Sequence, residues 1–369
     1  MTGPLQGIKV LELGAIGPAP FAAMLLADMG AEVVRLDRRG GADMLPPRFD
    51  LTRRGRAATA TVDLKDPADR ETVLALCERA DVLLEGFRPG VMERLGLGPD
   101  DVHARNPRIV FGRMTGYGQE GPLAPVAGHD VNYISVAGVL GAMARKGERP
   151  LFPLNLVGDY GGGAMFLAFG VVCGVLEAKA SGRGQVVDAA MVDGAALLAT
   201  LMHGFHAAGA WSATPGENLL DSGAPFYEVY ETSDGGHVAV GALEPQFHAR
   251  LLELLEIPAE EMPQWDKDHW DAHKQRLAEV FAGRTREEWA GILEHEEACA
   301  TVVRGLFEAH EHPHMAARGT FVELDGIRQP AAAPRFSRTP GEARPPAEDA
   351  TGVLADWGLD PDAVTRLTS

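Results

Sequence analysis

The sequence predicts an α/β fold: an open parallel sheet first, then a smaller α+β region, then a return stretch. Three observations carry this. Through the first two hundred residues, short apolar strand-like runs alternate with segments whose apolar residues recur at helical spacing. That alternation is the signature of a parallel sheet covered by helices on both faces. Residues 211–224, with Pro215, Gly216, Asn218 and Gly223, interrupt it as an irregular linker. Beyond the linker, two apolar runs flank Asp234-Gly235, a tight hairpin signal. Residues 330–346, rich in Ala, Pro and Arg, read as an extended return crossing. No internal repeat of 20–50 residues is visible.

Taken in order, 7–14 is a strand ending in a turn, 20–29 a helix stopped by Gly30, and 32–37 a second strand, together one β-α-β unit. The intervening loop, Gly14-Ala15-Ile16-Gly17-Pro18-Ala19-Pro20, is not the glycine fingerprint of a dinucleotide site. Its two prolines also lack the N–H donors that a pyrophosphate needs. Arg35, Arg38, Arg39, Arg48, Arg53, Arg54 and Arg56 follow within a short span. They read equally as a solvated basic rim or as a phosphate clamp, since guanidinium groups match phosphate oxygens in pairs. Strands at 58–64, 82–85 and 109–112 alternate with helices at 67–80 and from 91. In such sheets ligands gather outside the carboxyl ends of the strands. Residues 186–193 are a strand entering a helix, and 191–210 reads as one long helix. Helices follow at 245–256, 271–282 and 285–295, and 347–368 holds two short ones broken at Gly358.

The chain has 369 residues, enough for two domains, and a formal net charge of −18. That charge argues against non-specific nucleic-acid binding, which needs a basic face. Cys77, Cys173 and Cys299 fit no disulfide or metal spacing and suit a reducing compartment. The first residues do not read as a signal peptide, and 164–176 is too short an apolar stretch to span a bilayer. A soluble cytoplasmic protein without a membrane partner is the expectation. His310-Glu311-His312-Pro313-His314 resembles a metal site only superficially, because Pro313 breaks any shared face. No metal is expected.

The chemistry centres on Gly128-His129-Asp130-Val131-Asn132-Tyr133, which follows the turn formers at 116–122. An imidazole at the end of a long loop is placed for reaction. Asp159, in Gly158-Asp159-Tyr160-Gly161-Gly162-Gly163, stands before an apolar helix, and Glu244 stands at the end of a strand. One His and two carboxylates at element termini make an acid/base set. Each has a structural alternative: Asp159 caps the helix it precedes, and Glu244 is a first-turn acid on the helix at 245–256. The glycines at 161–163 are poor helix formers, and exposed N–H groups there would suit a developing oxyanion.

Ordered words along the chain carry a family likeness. They include Leu26-Ala27-Asp28-Met29-Gly30-Ala31, Val62-Asp63-Leu64-Lys65, Phe87-Arg88-Pro89-Gly90, Gly128 to Tyr133 and Glu244-Pro245-Gln246-Phe247. The sequence resembles the family III CoA-transferase superfamily, and within it the racemase branch. The resemblance implies a large Rossmann-like domain and a smaller inserted α+β domain in an interlocked homodimer. The boundaries fall at 1–210 for the first part of the large domain, 211–225 for the linker, 226–329 for the small domain and 330–369 for the return. It implies interconversion of (2R)- and (2S)-2-methylacyl-CoA thioesters, a reaction of fatty-acid metabolism needing no cofactor because CoA is part of the substrate. His129 would serve one face of C2 and Asp159 the other. Glu244, meeting them across the dimer, would orient His129. The CoA phosphates would fall to Arg38, Val62, Asp63, Leu64, Lys65, Arg88, Gly128, Asp130, Val131, Asn132 and Tyr133. The alternative within the family is CoA transfer between carboxylic acids, with Asp159 as a nucleophile forming an acyl-aspartyl anhydride.

Overall fold

The computed structural model describes residues 2–42, 45–347 and 349–368. The chain divides into two compact units, Met1–Ala137 with Pro153–Leu198 and Pro313–Ser369, and Gly138–Phe152 with Ala199–His312.

The first unit holds a six-stranded parallel sheet of order β3-β2-β1-β4-β5-β6. Its strands are β1 (Lys9–Leu13), β2 (Glu32–Arg38), β3 (Ala58–Val62), β4 (Val82–Glu85), β5 (Val110–Thr115) and β6 (Val186–Ala190). The α/β expectation holds. The central strands are buried on both faces, which is why Val10-Leu11, Val82-Leu83-Leu84 and Val110-Phe111 read as apolar cores of β1, β4 and β5, although Glu12, Glu85 and Arg113 are buried in the same strands. The order reverses between β1 and β4, so the carboxyl ends of these two strands flank the crevice where such sheets bind ligands.

Each face of the sheet packs its own core. One includes Leu11, Leu36, Leu83 and Phe111 beneath Leu354, Trp357 and Leu367, so the last residues of the chain cover the sheet that the first residues begin. The other packs Val10, Val33 and Val110 under helix Pro18–Asp28 and the long helix that ends at Ser181. Gly174 lets that helix sit close: a Cβ there would lie 2.9 Å from Val110 Cγ1.

The long helix corrects the sequence reading. It runs continuously over Leu156–Ser181, 26 residues with mean hydropathy 1.7, long and apolar enough by those measures alone to cross a membrane. Leu167, Val171 and Ala178 nevertheless lie buried against the sheet. Its opening, Leu156–Ala164, is wound in wide π-type turns, so Asp159 sits within the helix rather than before it. The glycines there serve packing. A Cβ on Gly162 would come 2.6 Å from the Ala195 nitrogen, and one on Gly194 would come 1.8 Å from the Gly162 oxygen. The segment read as one helix over 191–210 is two, Met191–Leu198 and Thr200–Ala207.

The second unit carries an antiparallel sheet, β7 (Tyr227–Glu231), β8 (His237–Gly241) and β9 (Ala300–Val302). The hairpin turns at Gly235 with φ 76. Helices Pro245–Leu254, Trp270–Phe281 and Arg286–Leu293 pack on it around Phe226, Trp270, Phe281 and Trp289. Thr285 and Glu288 close a capping box at the start of the last of these.

Candidate active site

The candidate site draws on the ends of β2 and β3, the loops after β1, β3, β4 and β5, and the first turns of the long helix. β5 ends at Thr115, and the chain turns through 116–128 before His129 starts helix Asp130–Val136 as its N-cap. The His129 N–H donates to Asn132 Oδ1 at 3.0 Å, and its carbonyl accepts from Asn132 and Tyr133 N–H at 2.8 and 3.2 Å. The backbone is thus fixed while the imidazole stays exposed. Tyr133 is buried; its hydroxyl donates to the Gly128 carbonyl and its ring meets Tyr117 edge-on at 5.0 Å. A Cβ on Gly116 would lie 2.1 Å from that ring, which explains the glycine. Burial first, then the charge of Asp159 and Tyr117, push the Tyr133 phenol up to about 12, while Arg88 pulls the other way.

Asp159 is half-buried on the first turns of the long helix. Asn155 Nδ2 donates to its Oδ2 at 3.0 Å. The loop after β1 comes alongside: a Cβ on Gly17 would stand 3.5 Å from the same oxygen. Burial raises the proton affinity of Asp159. The Asn155 hydrogen bond opposes that, the neighbouring Asp130 charge adds to it, and His129 opposes it. Asp159 therefore feels the charge of His129. A carboxylate held above its ordinary range is a stronger base and, once protonated, a usable acid at neutral pH. Asn155 and Gly17 were not singled out in the sequence, although Asn155 lies one helical turn before Asp159 and is in register to reach it.

The expected CoA contacts fall at strand ends. Arg38 closes β2 and Val62 closes β3 directly opposite it in register. Val62 is buried, Leu64 packs on the core, and Asp63 and Lys65 are exposed in the loop that follows. Asp63 N–H donates to Asp69 Oδ2 at 2.7 Å and Lys65 N–H to Asp63 Oδ1 at 3.0 Å, so the turn is fixed. Arg88 is exposed after β4. Among the described residues, Arg38, Lys65 and Arg88 form no ion pair. Gly128 precedes His129 on the loop, Val131 and Asn132 lie in the first turn of the helix that His129 opens, and the Asp130 carboxyl is turned inward and buried.

The arginine cluster divides. Arg35 Nη1 meets Glu12 Oε1 at 2.5 Å, Arg56 Nε meets Glu12 Oε2 at 2.9 Å, and Arg54 Nη2 meets Asp28 Oδ2 at 2.5 Å, all buried. These three are structural, which corrects the clamp reading for them. Neither alternative offered for the cluster, rim or clamp, describes them.

Glu244 lies in the second unit, exposed at the N-cap position of helix Pro245–Leu254, and its side chain caps nothing. Its charge reaches the nearby Cys299 thiol and, behind burial, helps push that thiol up. His312 Nε2 lies 3.3 Å from Glu294 Oε2, and among the described residues no three His, Cys, Asp or Glu side chains are grouped to hold a metal.

The fold and site define an α/β protein with an ionisable pair and, at the carboxyl ends of its strands, cations that form no ion pair among the described residues. Residues 5–352 match the model of CoA-transferase family III, and the chain belongs to that family. It is 41% identical to the alpha-methylacyl-CoA racemase of Homo sapiens, over 99% of this chain and 96% of the relative. It is 30% identical to the succinyl-CoA–D-citramalate CoA-transferase of Chloroflexus aurantiacus, over 92% and 89%. Among solved structures, Rv3272 from Mycobacterium tuberculosis superposes with TM-score 0.78 at 27% identity, over 95% of this chain and 99% of that one.

Proposed function

We propose that this protein interconverts the (2R) and (2S) forms of 2-methylacyl-CoA thioesters. A thioester acidifies the hydrogen on C2 because the carbanion delocalises onto the carbonyl oxygen as an enolate. Inversion needs a base on one face of that carbon and an acid on the other. With one configuration bound, His129 removes the proton and Asp159 returns one to the opposite face; with the other, the roles exchange. Each positioned group contributes about 10²–10⁴ in rate. The reaction is redox-neutral and consumes no separate cofactor, since the CoA belongs to the substrate. Arg38, Lys65 and Arg88, exposed at strand ends, are suited to its phosphates.

The observation that carries the reading is the pairing of an exposed imidazole with a half-buried carboxylate whose proton affinity is raised partly by burial and opposed by that imidazole. The 41% identity to a racemase supports it. We further propose a homodimer in which Glu244 of a second copy orients His129. The exposed Met165, Phe169 and Leu176, spaced along one side of the long helix, support such an apolar contact. A cytoplasmic setting agrees with the scattered thiols.

The competing reading is CoA transfer through an anhydride at Asp159. There the Asp159 carboxylate attacks the thioester carbonyl and CoA thiolate leaves; the thiolate then attacks the aspartyl carbonyl of the anhydride and releases the donor acid. The acceptor carboxylate displaces CoA from that aspartyl thioester to form a new anhydride, and the thiolate takes the new acyl group, freeing Asp159. It is favoured by the family model's own description and by relatives such as the one at 30% identity. Solvent deuterium separates the two. A 2-methylacyl-CoA in D2O with no free acid present should take up deuterium at C2 in the wild type. His129→Ala and Asp159→Ala should each lower the exchange by about 10²–10⁴. Turnover only when a carboxylic acid acceptor is added, without exchange, would establish the transferase instead.

A further inference from the structure

We propose that Asp130 is the positioning residue of the acid/base pair: its carboxylate ties the backbone carrying Asp159 to the backbone carrying His129, and so sets the spacing across which the proton is handed. The kinetic side of this proposal rests on the racemase reading; the structural side does not.

Asp130 follows His129 directly and opens helix Asp130–Val136. Its Oδ2 accepts from Gly158 N–H at 2.6 Å and from Asp159 N–H at 2.8 Å. Both donors belong to the first turns of the long helix, where backbone N–H groups have no partner within the helix. A carboxylate there is favoured by the helix dipole and makes short, charge-assisted bonds. One oxygen thus spans the two elements that present the imidazole and the acid. Gly158 makes room for it, since a Cβ at that position would lie 2.6 Å from the same oxygen.

The second oxygen argues that the carboxylate is more than a cap. Asp130 is 5% exposed, and its Oδ1 is buried with no hydrogen-bond partner among the described residues. A buried acceptor left unsatisfied costs about 1–3 kcal/mol, so a serine cap, with no second oxygen to bury, would hold the turn at lower cost. What the acid adds is charge. Asp130 sits beside Asp159 and, behind burial, raises its proton affinity. Asp130 therefore sets both where Asp159 stands and how firmly it holds its proton.

Three variants separate these jobs from a direct contact with CoA. Asp130→Asn keeps the shape and one acceptor oxygen but removes the charge. Asp130→Ala removes the tether. Gly158→Ala displaces the same oxygen while leaving Asp130 in place. Asp130→Ala and Gly158→Ala should each lower kcat for C2 exchange about 10²-fold, with KM changed by no more than about twofold, because misplacement by about 1 Å is enough for such a loss. Asp130→Asn should move the acid limb of kcat/KM to lower pH. It should also lower the titration midpoint of the Asp159 carboxyl, read by carbon-13 NMR on the protein alone. A raised KM with kcat intact would make Asp130 a substrate contact and overturn the proposal, as would an unmoved Asp159 titration in Asp130→Asn. The NMR reading stands whatever the reaction is: absence of exchange in the wild type would fail the racemase reading, while the titration still decides Asp130. It also stands if the alanine variants do not fold, because the asparagine variant is isosteric.

Discussion

Arg54 and Arg38 lie sixteen positions apart in one basic segment, and the fold treats them in opposite ways. Arg54 is buried, its guanidinium on the buried Asp28 and on Gln329 Oε1 and the Pro330 carbonyl. Arg38 ends β2 in solvent, opposite Val62, with no ion pair among the described residues. The difference is which carboxylates the topology brings alongside. A guanidinium already matched to a buried acid has no donors to offer a ligand, whereas one at a strand's carboxyl end keeps its fork open. A cluster of arginines in sequence is therefore not a cluster in function.

The largest effect expected from this contrast is on stability. Arg54→Ala should cost about 3–5 kcal/mol, because it leaves Asp28 charged and buried without its partner. The loss should appear in denaturant melts, with KM for the acyl-CoA unchanged in the folded fraction. A wild-type melt combined with a raised KM would move Arg54 into the ligand site and erase the contrast. Arg38→Ala should do the reverse, raising KM about tenfold, or ~1.4 kcal/mol, with an unaltered melt. Added salt should shrink the difference between Arg38→Ala and wild type, since an exposed cation on a phosphate is screened.

The fold was legible because buried parallel strands carry short apolar runs: β1, β2 and β4 emerge from a few residues of Val and Leu, and β5 from Val110-Phe111. The hairpin at Gly235 was legible from Asp234-Gly235 alone. The candidate site was half legible. His129 and Asp159 stand out as ionisable groups among turn formers. The winding of the long helix does not, since three successive glycines argue against helix and only the packing of Gly162 against Gly194 makes them fit. The break between the helices at Ala199 was hidden because no proline or glycine marks it. The fate of Arg54 and Arg56 was beyond reach for a simpler reason. Their acids, Asp28 and Glu12, stand 26 and 44 positions away, and no local pattern announces the pairing.

The histidines extend the same contrast and give its smallest test. His129 is exposed at an element's start, but His248 and His273 are buried in the core of the second unit, where Phe226 meets His248 edge-on at 5.6 Å. Burial first, and the nearby His273 second, hold His248 at about 4, and burial also lowers His273, against the pull of Asp266. A histidine depressed in the folded state is protonated first in the unfolded one, near pH 6.5. Its contribution is therefore complete above about pH 6.5 and is lost as pH falls toward 4. Allowing for partial solvent access, about 1 kcal/mol should be gone by pH 5. The ratio of unfolding midpoints at pH 7 and pH 5 should be larger in the wild type than in His248→Gln, which cannot take the proton. An equal ratio in the two would mean that water reaches this imidazole, and that burial does not sort the histidines as it sorts the arginines.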